Sequence, residues 1–157
     1  MTGETALSNA INVRDLEPAD VAELQAMLAA AELPAAELGR PQARFIKLCR
    51  TDGGTAGFAG LELHGADALL RSVVVRPDRR GLGVGRLAVE TALARAEGSS
   101  VESVYLLTTT AAGFFTRLGF RVVPRDRVPP AIARTSEFAT ICPTSAVCMR
   151  KDLRSPA

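Results

Sequence analysis

The segment VVVRPDRRGLGVGRLAVE, Val73 to Glu90, constrains what this chain can fold into more than any other stretch. A β-branched run enters it, glycines stand at Gly81, Gly83 and Gly85, and an apolar run with helical spacing leaves it. Strand, glycine turn and helix in that order expose backbone N–H groups at the helix start, where the helix dipole also favours negative charge. Without Cβ atoms, glycines let the backbone come close to the oxygens of an anion. Arg76, Arg79, Arg80 and Arg86 surround the turn, so the segment reads as a phosphate cradle. A solvated basic loop with turn-forming glycines is the plainer alternative, and the flanking strand and helix weigh against it.

The remaining pattern places further elements around this unit. Ile11 to Asp15 reads as a strand, and Pro18 opens a helix to about Ala31 with Val21, Leu24 and Leu28 at helical spacing. A helical turn is expected after Pro34. Ala43 to Arg50 and Thr55 to His64 form a hairpin about the TDGG turn, and Ala68 to Val75 is a further strand. A helix from about Val84 to Ala96 ends at Gly98, a strand covers Ser103 to Thr108, and Gly119 stops a helix near Ala112 to Leu118. Phe120 to Val123 and Ser145 to Lys151 read as a closing antiparallel pair. The order is that of an α+β sheet with one strand–helix–strand unit at its centre. A chain of 157 residues is expected to make one domain over 1–157, with roughly 1–9 and 154–157 frayed.

Several ligand classes fit poorly. GxxxxGK[ST] is absent, with no lysine near the loop, which argues against nucleoside triphosphates. The dinucleotide pattern GxGxxG fails because Arg86 takes the place of its third glycine, and the next strand runs into LLTTT instead of a ribose-binding carboxylate. Nucleic acid is not expected as a partner: net charge is only +2, aromatics are 4% and there is no tryptophan. Short, interrupted apolar runs and an N-terminus without a signal-peptide pattern point to no membrane association and a cytoplasmic protein. Cys49, Cys142 and Cys148 are odd in number and lack CxxC spacing, His64 is the sole histidine, and no metal site is expected.

What remains is R-G-x-G-x-G, Arg80 to Gly85. This resembles the acyl-CoA pyrophosphate loop of the GNAT superfamily of N-acetyltransferases. LLRSVVV before it, VYLLT after it, and AAGFFTRLGF from Ala111 to Phe120 follow that superfamily's order over most of the chain. Together with the ending TSEFATICPTSAVCMRKDL, these segments are similar to the arsenic-resistance N-acetyltransferase (ArsN) group. The resemblance implies a GNAT fold: a mixed, mostly antiparallel sheet of about six or seven strands with a splayed central parallel pair, and about four helices. It implies acetyl-CoA as co-substrate. Val73 and Val75 would offer backbone to the pantetheine arm, with the amide near Val74 polarising the thioester carbonyl. Arg80, Gly81, Leu82, Gly83, Val84, Gly85 and Arg86 would surround the pyrophosphate, with Thr109 and Phe115 also on the CoA side. Many members carry tyrosine where Phe115 stands. Phenylalanine has no proton to give, so water or another group protonates the departing thiolate, or it leaves unprotonated.

The resemblance also implies an acceptor: the α-amine of a small anionic amino acid, with arsinothricin or phosphinothricin as the named expectation. Glu62, with His64 beside it, is the first choice for proton handling, since the two alternate opposite Leu61 and Leu63; a solvated outer face explains the same alternation. Glu137 is the second choice. Arg71 and Ser72, next to the pantetheine strand, and Arg44 on the neighbouring hairpin strand would read the acceptor's anion, an arginine fork suiting it better than lysine. Ordinary surface arginines are the plainer reading for Arg44. Two alternatives stay open. One is a GNAT enzyme for another amino acid, amine or protein N-terminus. The other is a catalytically silent acyl-CoA or metalloid-sensing module, with Phe115 and the Cys142/Cys148 pair as its supporting features. The expected partner is a small-molecule amine or amino acid, and a homodimer is left open.

Overall fold

Alternating and β-branched residues between Ile11 and Val75 produce four consecutive strands: β1 (Ile11–Asp15), β2 (Ala43–Arg50), β3 (Thr55–His64) and β4 (Asp67–Val75). The computed structural model describes residues 11–35, 38–140 and 146–153. These four strands pair antiparallel in sequence order. Pro18–Asp20 forms a 3-10 turn leading into helix α1 (Val21–Ala30), whose Leu24 and Leu28 are fully buried one turn apart. Asp20 anchors this start. Its carboxylate accepts from the Glu17 N–H at 2.9 Å, bidentately from Arg14 at 2.7 and 2.9 Å, and from Lys47 Nζ at 3.0 Å. The cations hold Asp20 well below the usual carboxylate range.

Helix α2 (Val84–Gly98) follows the glycine segment and buries Val84, Ala88, Val89, Ala92, Leu93 and Ala96 along one stripe against the sheet. Strand β5 (Ser103–Thr108) then lies parallel to β4. Helix α3 (Ala112–Arg117) ends at Gly119, which adopts a φ of 96° suited to a helix stop. The sheet closes with β6 (Arg121–Val122) and β7 (Val147–Asp152), giving the order β1-β2-β3-β4-β5-β7-β6. The fold is therefore the expected α+β sheet, with seven strands and one parallel pair at its centre. Two short helices, α4 (Pro130–Ala133) and α5 (Ser136–Thr140), occupy the stretch before β7, so the described residues hold five helices where about four were expected. The helical turn expected after Pro34 is not formed at Pro34 and Ala35, and the next two residues lie outside the described part.

Both faces of the sheet are covered. One carries α2 and α3 over Leu61, Leu70, Val104, Leu106 and Met149. The other carries α1 over Phe45, Phe58 and Val74, and α4 and α5 over Leu69, Tyr105, Leu107 and Cys148. Among the described residues, no helix is long and apolar enough to cross a membrane.

Candidate active-site cleft

Two irregularities of β4 create the cleft. The first is a loss of pairing. β4 and β5 match only at Asp67/Ser103, Ala68/Val104 and Leu69/Tyr105, after which the strands part although both continue. The second is a bulge. Opposite β3, Gly60 pairs with Arg71 and Phe58 with Val74, so Ser72 and Val73 face one residue, and Ser72 takes the left-handed φ of 58°. The extra residue changes the phase of the pleat. Arg71 and Val74 both face the α1 and α5 side, while Leu70 and Val73 face the α2 side.

The parted strands line one continuous cleft of about 1460 Å³. Its walls are residues 70–75 of β4 and 106–111 of β5 with its following loop, and its floor includes Phe114 and Phe115. The peptide edge of β4 is open towards it. The Arg76 N–H donates to Ala56 O, and a Cβ built on Gly57 would lie 2.6 Å from the Val74 carbonyl, so Val74 and Arg76 face β3. By the period of two, the peptide groups of Val73 and Val75 face the gap. Val74 lines the cleft by its side of the strand, while its own peptide groups face β3.

At one end stands the glycine turn. Gly81 and Gly83 have φ of 81° and 83°, a conformation that costs L side chains strain, and Gly83 caps α2. Arg79, Arg80, Gly81, Gly83, Gly85 and Arg86 line this end. The buried Arg79 Nε has no hydrogen-bond partner among the described residues. Arg76 stands apart, exposed and paired with Asp78 at 3.3 Å. Leu82 is an exposed side chain and Val84 a core one, so neither side chain meets the cleft. Gly85 differs from its neighbours: it faces the Phe114 ring, and a Cβ there would lie in ordinary contact with Phe114 Cζ at 3.4 Å and Val75 Cγ2 at 3.6 Å. Thr109 lines the cleft. Phe115 does too, edge-on to Phe114 at 5.0 Å and Phe120 at 5.7 Å between ring centroids. Phe114, Thr108 and the α1-following residues 32–35 also line it, and no local signal in the sequence pointed to them.

The other end holds a buried ionic cluster that the sequence did not announce. Arg71 is 2% exposed and each nitrogen of its guanidinium has a partner in the protein. Nη1 donates to Glu62 Oε2 at 3.0 Å, Nε reaches Ser72 Oγ at 3.1 Å and Glu137 Oε2 at 3.4 Å, Nη2 points to Pro34 O at 3.4 Å, and the group sits over the Phe45 ring. The expected fork for an acceptor anion is thus already occupied. Arg44 is no substitute. It pairs in register with Leu61, so alternation puts it with Leu61, Leu63 and Arg95 in a second cavity of about 810 Å³, where it donates to Pro41 O. Glu62, 2% exposed, stands behind Arg71 and does not line the cleft, and His64, 3.6 Å from Glu62 Oε1, does not line it either. Neither the cleft wall nor the solvated outer face expected for this pair is what forms, because Arg71 draws Glu62 inward.

Glu137, brought in by α5, does line the cleft. It is 5% exposed, and burial pushes its carboxyl up to about 7 against the opposing pull of Arg71. Its Oε2 has no hydrogen-bond partner among the described residues. Cys148 is a core residue beside Tyr105 and Leu107, its thiol pushed up to about 11 by burial. Cys142 lies outside the described residues.

An α+β sheet whose central parallel strands part beside a glycine turn and helix start is built to admit a slender, phosphate-bearing chain between them. The family comparison agrees: residues 42–122, just over half of the chain, match the acetyltransferase (GNAT) domain, and the chain belongs to that family. An uncharacterized N-acetyltransferase of Chlorobaculum tepidum is 36% identical over 52% of this chain and 50% of its own length. The peptidyl-lysine N-acetyltransferase YjaB of Salmonella typhimurium is 39% identical over 46% of each. The chain thus spans about half the length of the curated relatives it matches. Among solved structures, N-acetylglutamate synthase of Neisseria gonorrhoeae, complexed with coenzyme A and L-arginine, superposes with a TM-score of 0.76 at 17% identity, covering 92% of this chain and 34% of that one. The ribosomal-protein-S18-alanine N-acetyltransferase of Escherichia coli gives 0.70 at 17% identity, over 94% and 96% of the two chains.

Proposed function

We propose that the chain is an acetyl-CoA-dependent N-acetyltransferase that moves an acetyl group to a primary amine in a ternary complex. The observation that carries this reading is the single cleft joining an open β4 peptide edge to an arginine-lined glycine turn. The names of the relatives, all N-acetyltransferases, support it, as does the coenzyme A complex of the Neisseria neighbour.

Acetyl-CoA, when bound, supplies an activated thioester. The Val73 and Val75 peptide groups would hold the pantetheine arm as an added strand is held, and would supply N–H groups to polarise the thioester. Arg79 and Arg80, with Arg86 shared with Glu90 at 2.8 Å, would neutralise the phosphates at the α2 start, where the Arg79 Nε would gain an acceptor. Glu137 is the proton acceptor that the cleft itself presents; Glu62 acts on it through Arg71. Phe115 contributes shape and no proton. The ArsN-like acceptor, a small anionic amino acid such as arsinothricin or phosphinothricin, finds no free arginine fork at this end of the cleft, since Arg71 is engaged and Arg44 is elsewhere.

The test is calorimetric titration with acetyl-CoA, followed by thiol release with a panel of amines. Wild-type protein is expected to bind and turn over, and Gly83→Val, which forces a β-branched residue into the left-handed region, to lose at least about tenfold in acetyl-CoA affinity. No binding by wild type, or unchanged affinity in the variant, overturns the reading.

A further inference from the structure

The two ends of the cleft carry opposite charge. Arg79, Arg80 and Arg86 stand at the glycine turn. At the far end, the lining carboxylates among the described residues are Glu32, exposed at the mouth, and Glu137, buried inside, and Arg71 is the lining cation among them. Arg71 is a poor partner for a ligand's anion, because Glu62 faces it at 3.0 Å and Glu137 at 3.4 Å and an incoming anion would compete with both. With Glu62 behind it, the guanidinium is outnumbered by carboxylates. Glu137 is the group that can still change partner: 95% shielded, aimed into the cleft, its Oε2 without a hydrogen bond among the described residues. A buried carboxylate in that position is met best by a donor carrying positive charge.

We propose that the acceptor is a primary amine with no carboxylate or other anionic group beside the reacting nitrogen, and that its ammonium docks on Glu137. This rests on the acetyl-transfer reading and narrows its substrate class. An α-carboxylate would enter beside Glu137 and Glu62 with Arg71 already paired to both, an unfavourable like-charge placement. The burial that raises the Glu137 carboxyl towards 7 also makes it an effective base near neutral pH. The docked ammonium gives one proton to the Glu137 carboxylate. The freed nitrogen pair then forms the C–N bond to the acetyl carbonyl carbon, the C–S bond breaks with its electron pair on sulfur, and the second amine proton ends on the thiolate as CoA thiol. Glu137 returns its proton to solvent.

The experiment uses matched pairs that differ only by the α-carboxylate: cadaverine against lysine, agmatine against arginine, phenethylamine against phenylalanine. Each is titrated into the full chain with and without CoA, and each is assayed for thiol release with acetyl-CoA. The decarboxylated partner is expected to bind and react at least about tenfold better in every pair. Glu137→Gln, which keeps the shape and removes the charge, is expected to shrink that preference to within about threefold while acetyl-CoA affinity stays the same. Equal or tighter binding of the carboxylated partners overturns the inference, as does a preference that survives Glu137→Gln. Failure to bind acetyl-CoA at all strikes instead at the transferase reading, and the amine titrations still decide the charge preference.

Discussion

Replacing Arg71 with methionine removes a cation that joins β3, β4, α5 and the residues after α1. In the wild type its guanidinium contacts Glu62 Oε2 at 3.0 Å, Ser72 Oγ at 3.1 Å, Glu137 Oε2 at 3.4 Å and Pro34 O at 3.4 Å. Methionine has similar reach and no charge, so the substitution leaves two shielded carboxyl groups without their counter-ion. Breaking a buried ion pair from one side costs about 3–5 kcal/mol, a large part of the roughly 5–15 kcal/mol that holds a domain folded. Urea unfolding followed by circular dichroism at pH 7 is expected to show that loss of about 3–5 kcal/mol. The wild type's own stability depends on pH in a fixed direction: the folded Glu137 carboxyl lies near 7, above its ordinary 4.5, so the stability tied to its neutral form is complete below about 4.5 and is lost as pH rises through 7. A loss under about 1 kcal/mol in the variant at pH 7 would refute the view that Arg71 is a structural counter-ion.

Two further substitutions probe the frame around the cleft. In Gly60→Ala the added Cβ would lie 2.6 Å from Phe45 Cδ1, so thermal unfolding should register an overpacking penalty of about 1–3 kcal/mol while acetyl-CoA affinity is untouched. Asp20→Asn strips the carboxylate that Arg14 and Lys47 share; stability should drop by about 1–3 kcal/mol at pH 7, measured by urea titration. Because Asp20 is depressed in the folded state, its contribution is present above its ordinary 3.8 and disappears as pH falls, so variant and wild type should converge in acid.

Local patterns carried most of the architecture. The β1 and β2 boundaries, the hairpin turn at 51–54, the α2 stripe and the Gly119 stop all follow from periodicity and turn chemistry within a few residues. So does the glycine turn of the cleft. The acceptor end was far less legible because its parts meet only in the tertiary fold: Arg71 finds Glu62 across a strand pair and Glu137 from a helix far along the chain. The Ser72 bulge left no trace either, since a serine in the left-handed region has no marker residue. Arg44 was misplaced for want of a register; once β2 is set against β3, its pairing with Leu61 sends it to the opposite face. Helix α4 did have a signal that was passed over, a proline at its first turn in Pro130.

The phase change at Ser72 makes the length of β4 a fixed quantity in a way its composition is not. Upstream of it, Leu69 and Arg71 face the α5 side and Leu70 the α2 side; downstream, Val73 and Val74 take those sides in reversed parity. Losing or gaining one residue between Asp67 and Arg71 would swing the guanidinium into the Leu61–Val89 core and strand Glu62 and Glu137. A descendant of this chain can therefore alter the side chains of β4 one at a time, but it can change its number of residues only in the turns at either end.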